Sequence, residues 1–178
     1  MSPSFGFRSF VAALALVPLA STGQTALRAP NVVEISPTLV TSGQPSAQEL
    51  ARLGEQGFQA VISLSPPNAH DAMRDEPAIV TRQGLEFVNI PIDFGRPTER
   101  DFDEFAKALS GLAGRKVLVH CQVNMRASTM VFLYRTIVAK EDPQRAYEAV
   151  IKIWVPEGPW KRLIRDELRQ HKIDFEPY

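Results

Sequence analysis

The 178-residue chain balances 20 Lys and Arg against 20 Asp and Glu, which excludes the strongly basic surface needed to take nucleic acid or an anionic membrane as the main partner. Its length suits one domain with a sizeable core, and its single cysteine, Cys121, excludes an internal disulfide. The three histidines, His70, His120 and His171, have no ligand spacing with one another or with Cys121, so no metal and no other cofactor is expected.

The N-terminus reads as a secretory signal. Residues 1–9 carry one Arg and no acid, residues 10–20 form an apolar run of eleven, and small residues follow as far as Gly23. That run is short for a membrane span. The organisation expected is a signal over residues 1–23, a tether over 24–31 and one domain over 32–178. The protein is then exported, periplasmic or secreted, with no stable membrane insertion after signal cleavage.

Short strands are predicted at residues 32–35 and 39–41, divided by Ser36 and Pro37. Ser46 and Glu49 have the spacing of a capping box, opening a helix that Gly57 stops. Residues 58–64 read as a buried strand, Pro77 as the first turn of a short helix ending near Gly84, and residues 87–90 as another strand. A loop of chain breakers follows over residues 91–97. Thr98 and Asp101 form a second capping box, ahead of Phe102, Phe105, Leu109 and Leu112 at helical spacing. Residues 116–119 read as a buried strand, and a long apolar helix without Gly or Pro begins at Ala127 and runs to Ala139. Asp142 and Pro143 open a further helix, Pro156 and Pro159 break it, and Trp160, Leu163, Ile164 and Leu168 mark a last one. Trp154 and Trp160 are assigned to packing beside that break. Alternating strands and helices predict an α/β fold, a mostly parallel central sheet flanked by helices, with ligands beyond the carboxyl ends of the strands.

The chemistry concentrates where the central strand meets the long helix, in the stretch His120-Cys121-Gln122-Val123-Asn124-Met125-Arg126. Free amides at a helix start and the helix dipole make an anion site there, and the same field favours a thiolate. Arg126 opposes the dipole if it is only a surface residue, and its planar fork matches two phosphate oxygens. Cys121 is thus the candidate nucleophile and Arg126 the candidate clamp. The backbone of Gln122, Val123, Asn124, Met125, Ala127 and Ser128 is the candidate cradle for substrate oxygens. Ser128 and Thr129 either steady the leaving thiolate or cap the helix. His120 is a supporting residue.

These residues resemble the HisCys…Arg signature of the cysteine-dependent protein tyrosine and dual-specificity phosphatases. With Ser42-Gly43-Gln44-Pro45, they resemble more closely a bacterial phosphatase-like group related to the phosphatase-like domain of beta-lactamase-hydrolase-like proteins. The likeness runs from about Ile35 to about Trp160. It implies a dual-specificity-phosphatase-like fold, hydrolysis of phosphotyrosine or related phosphomonoesters through a phosphocysteine, and a phosphorylated protein or small phosphoester as partner. The family's general acid is an Asp on a loop upstream of the cysteine; Asp93 on the 91–97 loop fits, while Asp101 is explained by its capping box. One departure stands out: four residues separate Cys121 from Arg126, where the family has five. Ala127 also replaces the usual hydroxyl residue, and Asn124 replaces a Gly, a change that a left-handed backbone tolerates.

Two other readings follow from that departure. A rhodanese-like sulfurtransferase also places Cys at the start of a short anion loop, and a pseudophosphatase captures phosphorylated ligands without turnover. The HisCys pair and the candidate acid loop favour the phosphatase.

Overall fold

A computed structural model describes residues 26–68 and 72–178. The signal stretch and His70 lie outside the described residues. Five strands form one sheet in the order β1-β2-β5-β3-β4: β1 (Val33–Ser36), β2 (Leu39–Ser42), β3 (Ala60–Ser63), β4 (Glu86–Asn89) and β5 (Val117–His120). Only β1 runs antiparallel, against β2; the pairs β2–β5, β5–β3 and β3–β4 are parallel. The mostly parallel sheet expected from the alternation is therefore present.

Helices cover both faces, which is why β3 and β5 read as unbroken apolar runs. The helices are α1 (Ala47–Leu50), α2 (Glu76–Thr81), α3 (Glu99–Gly111), α4 (Met125–Leu133), α5 (Pro143–Ile151) and α6 (Gly158–Gln170). Strand alternation splits the core in two. Val117 and Val119 join Phe105, Phe132, Tyr147 and Trp160 on the face carrying α3 to α6. Leu118 joins Leu50, Leu53, Val61 and Val80 on the face carrying α1 and α2. Among the described residues, no helix is long and apolar enough to cross a membrane.

Three local expectations change. The helix opened by Ser46 lasts four residues and then tightens into turns, with Arg52 N–H bonded to the Glu49 carbonyl and Leu53 N–H to that of Leu50. Its capping box is half made: Ser46 Oγ accepts from the Glu49 amide at 3.2 Å, but the Glu49 carboxylate accepts from the Arg28 amide instead. The long apolar helix starts at Met125, two residues before Ala127, and widens into a π-helical turn at Tyr134–Val138. The capping box of Thr98 and Asp101 forms in full.

Candidate functional site

Because β2, β5 and β3 are parallel and in register, Ser42 and Ser63 flank His120 at their carboxyl ends. Cys121 follows directly, fully buried, its amide bonded to the Ser42 carbonyl at 3.2 Å. The chain then turns sharply. Asn124 takes a left-handed backbone (φ 73°), as its place in a glycine-like position implies, and α4 begins at the next residue. The first intrahelical bond runs from the Ser128 amide to the Asn124 carbonyl at 2.9 Å. The amides of Met125, Arg126 and Ala127 are left without intrahelical partners.

The turn is clamped from outside. Asn124 Nδ2 donates to the Asn31 carbonyl at 2.6 Å and to Thr41 Oγ1 at 3.0 Å, while Asn31 Nδ2 donates to the Val123 carbonyl at 3.0 Å. Gly43 pairs with Val123, and its amide reaches the Pro30 carbonyl. The last part of the segment read as a tether is thus a wall of the cysteine loop. Sequence reading missed Asn31; its signal was an Asn able to hold a positive φ, here 51°. Gly43 shows why the Ser42–Pro45 turn carries a glycine. A Cβ there would lie 2.8 Å from the Gln122 carbonyl oxygen and 2.9 Å from Pro30 Cβ.

Arg126 is buried in the first turn of α4. Nε donates to the Ile92 carbonyl at 3.1 Å, and the guanidinium lies 5.2 Å from the centre of the Phe94 ring. Among the described residues no carboxylate forms an ion pair with it, an expensive state for a buried cation unless an anion arrives. The Ile90 and Ile92 amides bond to the Ser63 and Leu64 carbonyls, so the chain leaving β4 follows β3 to the cysteine loop before turning outward at Asp93.

Asp93 is exposed. Its Oδ1 accepts from the Gly95 amide at 2.9 Å, and Oδ2 lies 3.4 Å from Arg96 Nε. The Gly95 bond chiefly holds its carboxyl below the usual range; desolvation opposes it, and Arg96 and more weakly Arg126 add to the lowering. Asp93 therefore forms the turn typical of an Asp beside Gly and also lies within electrostatic reach of Arg126. Arg96 is largely exposed.

His120 turns its Nε2 toward Glu76. Its Nε2 lies 2.6 Å from Oε1 of buried Glu76, off the line of an aligned hydrogen bond. Gln44 Nε2 donates to Glu76 Oε2 at 3.3 Å, and the Gln44 amide donates to the Gln122 carbonyl at 3.1 Å. Support for the loop thus passes from His120 through Glu76 and Gln44. Nothing in the sequence marked Glu76 except its place beside the helix-starting Pro77. Ser128 and Thr129 both return their hydroxyls to the Met125 carbonyl, at 3.1 and 3.0 Å, and neither caps a free amide. Among the described residues no group of three His, Cys, Asp or Glu side chains is arranged to hold a metal ion.

Beside the loop, Phe94, Met125, Trp154, Val155 and Trp160 line a broad, mostly apolar recess of about 600 Å³. Trp160 Nε1 donates to the Phe94 carbonyl at 2.9 Å, a bond that an assignment to packing alone did not anticipate.

Two beta-lactamase hydrolase-like proteins of Xylella fastidiosa strains are 33% identical over 112 residues, 60% of this chain; the match spans only a quarter of their length. A DUF442 protein of Shewanella putrefaciens CN-32, a candidate phosphatase, superimposes with a TM-score of 0.74 at 28% identity, covering 80% of this chain and 94% of its own. Tk-PTP in its active form shares the fold, with a TM-score of 0.67 at 21% identity over 79% of this chain and 98% of its own. The family model described as DSP-PTPase phosphatase fused to NAD+ kinase matches residues 12–155, and the chain belongs to that family of phosphatases.

Proposed function

We propose that the protein hydrolyses phosphotyrosine or related phosphomonoesters through a phosphocysteine on Cys121. The observation carrying this reading is Arg126: a buried guanidinium, without a carboxylate ion pair among the described residues, in the same strand-to-helix turn as the only thiol of the chain. A phosphate dianion satisfies the guanidinium and the first amides of α4 at once.

In the first step Cys121 Sγ attacks phosphorus, a P–S bond forms, and the ester P–O bond breaks with its electron pair passing to the leaving oxygen. That oxygen takes the Asp93 proton. Water then attacks phosphorus and gives its proton to the Asp93 carboxylate. The P–S bond breaks, thiolate is restored and inorganic phosphate leaves. Arg126 and the amides of Met125 to Ala127 at the start of α4 hold the equatorial oxygens throughout, which is where most of the rate comes from. Export to the periplasm or exterior, proposed from the N-terminal signal pattern, would make extracytoplasmic phosphoproteins or small phosphoesters its substrates.

The test is turnover of para-nitrophenyl phosphate under reducing conditions, with Cys121→Ser as the control. Acid-quenched Asp93→Asn should carry one phosphoryl group on Cys121 by mass spectrometry. A second reading, capture of phosphorylated ligands without turnover, draws support from the complete burial of Cys121. Binding of vanadate or phosphate with no hydrolysis would select it.

A further inference from the structure

Resting on that phosphatase reading, we infer that Trp160 is a positioning residue for Asp93. Its indole N–H grips the peptide of the acid loop and sets where the carboxyl meets the leaving group.

Asp93 has no long-range hydrogen bond of its own among the described residues; its carboxylate bonds only within its own turn, to Gly95 and Arg96. Such a turn fixes the carboxyl relative to the loop, and something else must fix the loop relative to Cys121. The two carbonyls that bracket Asp93 supply this. The Ile92 carbonyl is held by Arg126 Nε from the cysteine loop, and the Phe94 carbonyl by Trp160 Nε1 from α6. The first grip comes from a residue that also binds substrate, so it is shared with the reaction. The second is independent of substrate.

Trp160 suits the task because it is 1% exposed and packed in the larger core, which makes its donor rigid. The Phe94 ring lies 5.8 Å from Trp154 and 5.7 Å from Trp160, so side chain and carbonyl are held on one aromatic base. Trp154 provides an internal contrast. It packs against the same ring and lies 6.2 Å from Trp160, yet its own Nε1 is buried without a hydrogen-bond partner among the described residues. One tryptophan packs; the other packs and holds. A displacement of an ångström at a catalytic group is enough to cost about a hundredfold in rate.

The test compares Trp160→Phe, which keeps an aromatic ring and loses the donor, with Trp154→Phe and wild type. The substrates are phenyl phosphate, whose leaving group needs a proton, and dinitrophenyl phosphate, whose leaving group does not. Since general acid catalysis supplies about 10²–10⁴-fold, Trp160→Phe should lose about tenfold or more with phenyl phosphate and much less with dinitrophenyl phosphate. Trp154→Phe should keep the leaving-group dependence of wild type. Combining Trp160→Phe with Asp93→Asn should add no further selective loss. Equal losses on both substrates overturn the inference while leaving the phosphatase reading intact; a wild type without turnover overturns both. Should Trp160→Phe fail to fold, hydrogen exchange of the wild-type Trp160 indole decides the matter. Protection matching the core supports the grip, and rapid exchange overturns it.

Discussion

Arg126 Nε donates to the Ile92 carbonyl at 3.1 Å, so the cation of the cysteine loop also holds the residue immediately before Asp93. One side chain thereby couples the two loops that the proposed chemistry needs. Phe94, one residue beyond Asp93, lies under the same guanidinium. The Asp93 carboxyl is kept low partly by that charge.

Replacing Arg126 by Lys tests whether this coupling matters beyond charge. Lys keeps the cation but loses the planar fork and the Nε donor. Loss of one preorganised donor to a transition-state oxyanion costs about 10²–10³ in kcat, so Arg126→Lys should fall by at least that factor, with weaker phosphate or vanadate binding. Titration of vanadate inhibition beside kcat checks it; a variant within a few-fold of wild type removes Arg126 from the site.

Gly43→Ala probes the wall of the loop. The new Cβ meets the Gln122 carbonyl oxygen at 2.8 Å and Pro30 at 2.9 Å, neither of which is a flexible side-chain end. Overpacking of this kind costs about 1–3 kcal/mol, and here it presses on the residue after Cys121. Both Tm and kcat should drop, the latter more than thermal stability alone explains. Assay well below Tm separates the effects, and full activity there would show that the loop tolerates the shift.

Much of this arrangement was legible in the sequence, and the remainder has a common physical cause. Residues 116–119 read as a strand because a sheet covered on both faces needs apolar side chains at every position. Asn124 was legible because few residues hold a positive φ. The start of α4 was placed at Ala127 because apolar periodicity cannot see Met125 and Arg126, whose place in the helix follows from the Asn124 turn. The Ile92 and Phe94 carbonyls left no trace, since every residue carries the same backbone acceptor and only the chain's path past β3 selects these two. Glu76 and Asn31 were missed for a related reason. Their partners lie 44 and 93 residues away, at His120 and Asn124, where no spacing rule reaches.

The lowered pKa of Asp93 sets the pH response. A carboxyl held below its ordinary value by the Gly95 amide and by Arg96 is ionised at neutral pH, so the protonated form that donates to a leaving group is scarce. For substrates with poor leaving groups, kcat should rise as pH falls from about 7 toward about 5. Asp93→Asn should flatten that rise. It should matter little for dinitrophenyl phosphate. A wild-type profile that the substitution leaves unchanged would assign the acid to another group.

Glu167 governs a different pH dependence, one of stability. It lies in α6, 2% exposed, and burial first, then Glu99 and Asp103 of α3 and Asp166 of α6, push its pKa from 4.5 up to about 7. His171 approaches only to 3.9 Å and does not offset them. Because the folded-state value is raised, the protonated carboxyl is the form that folding favours. Its contribution is complete below 4.5, where the unfolded chain is also protonated, and is lost as pH rises toward about 7. Glu167→Gln mimics the neutral acid at every pH. Its Tm should match wild type in acid and exceed it increasingly through that window, reaching a constant advantage above about 7. Differential scanning calorimetry across the range checks this; parallel curves for the two proteins would mean that Glu167 ionises freely in the folded state and that α3 and α6 part at little cost to admit water.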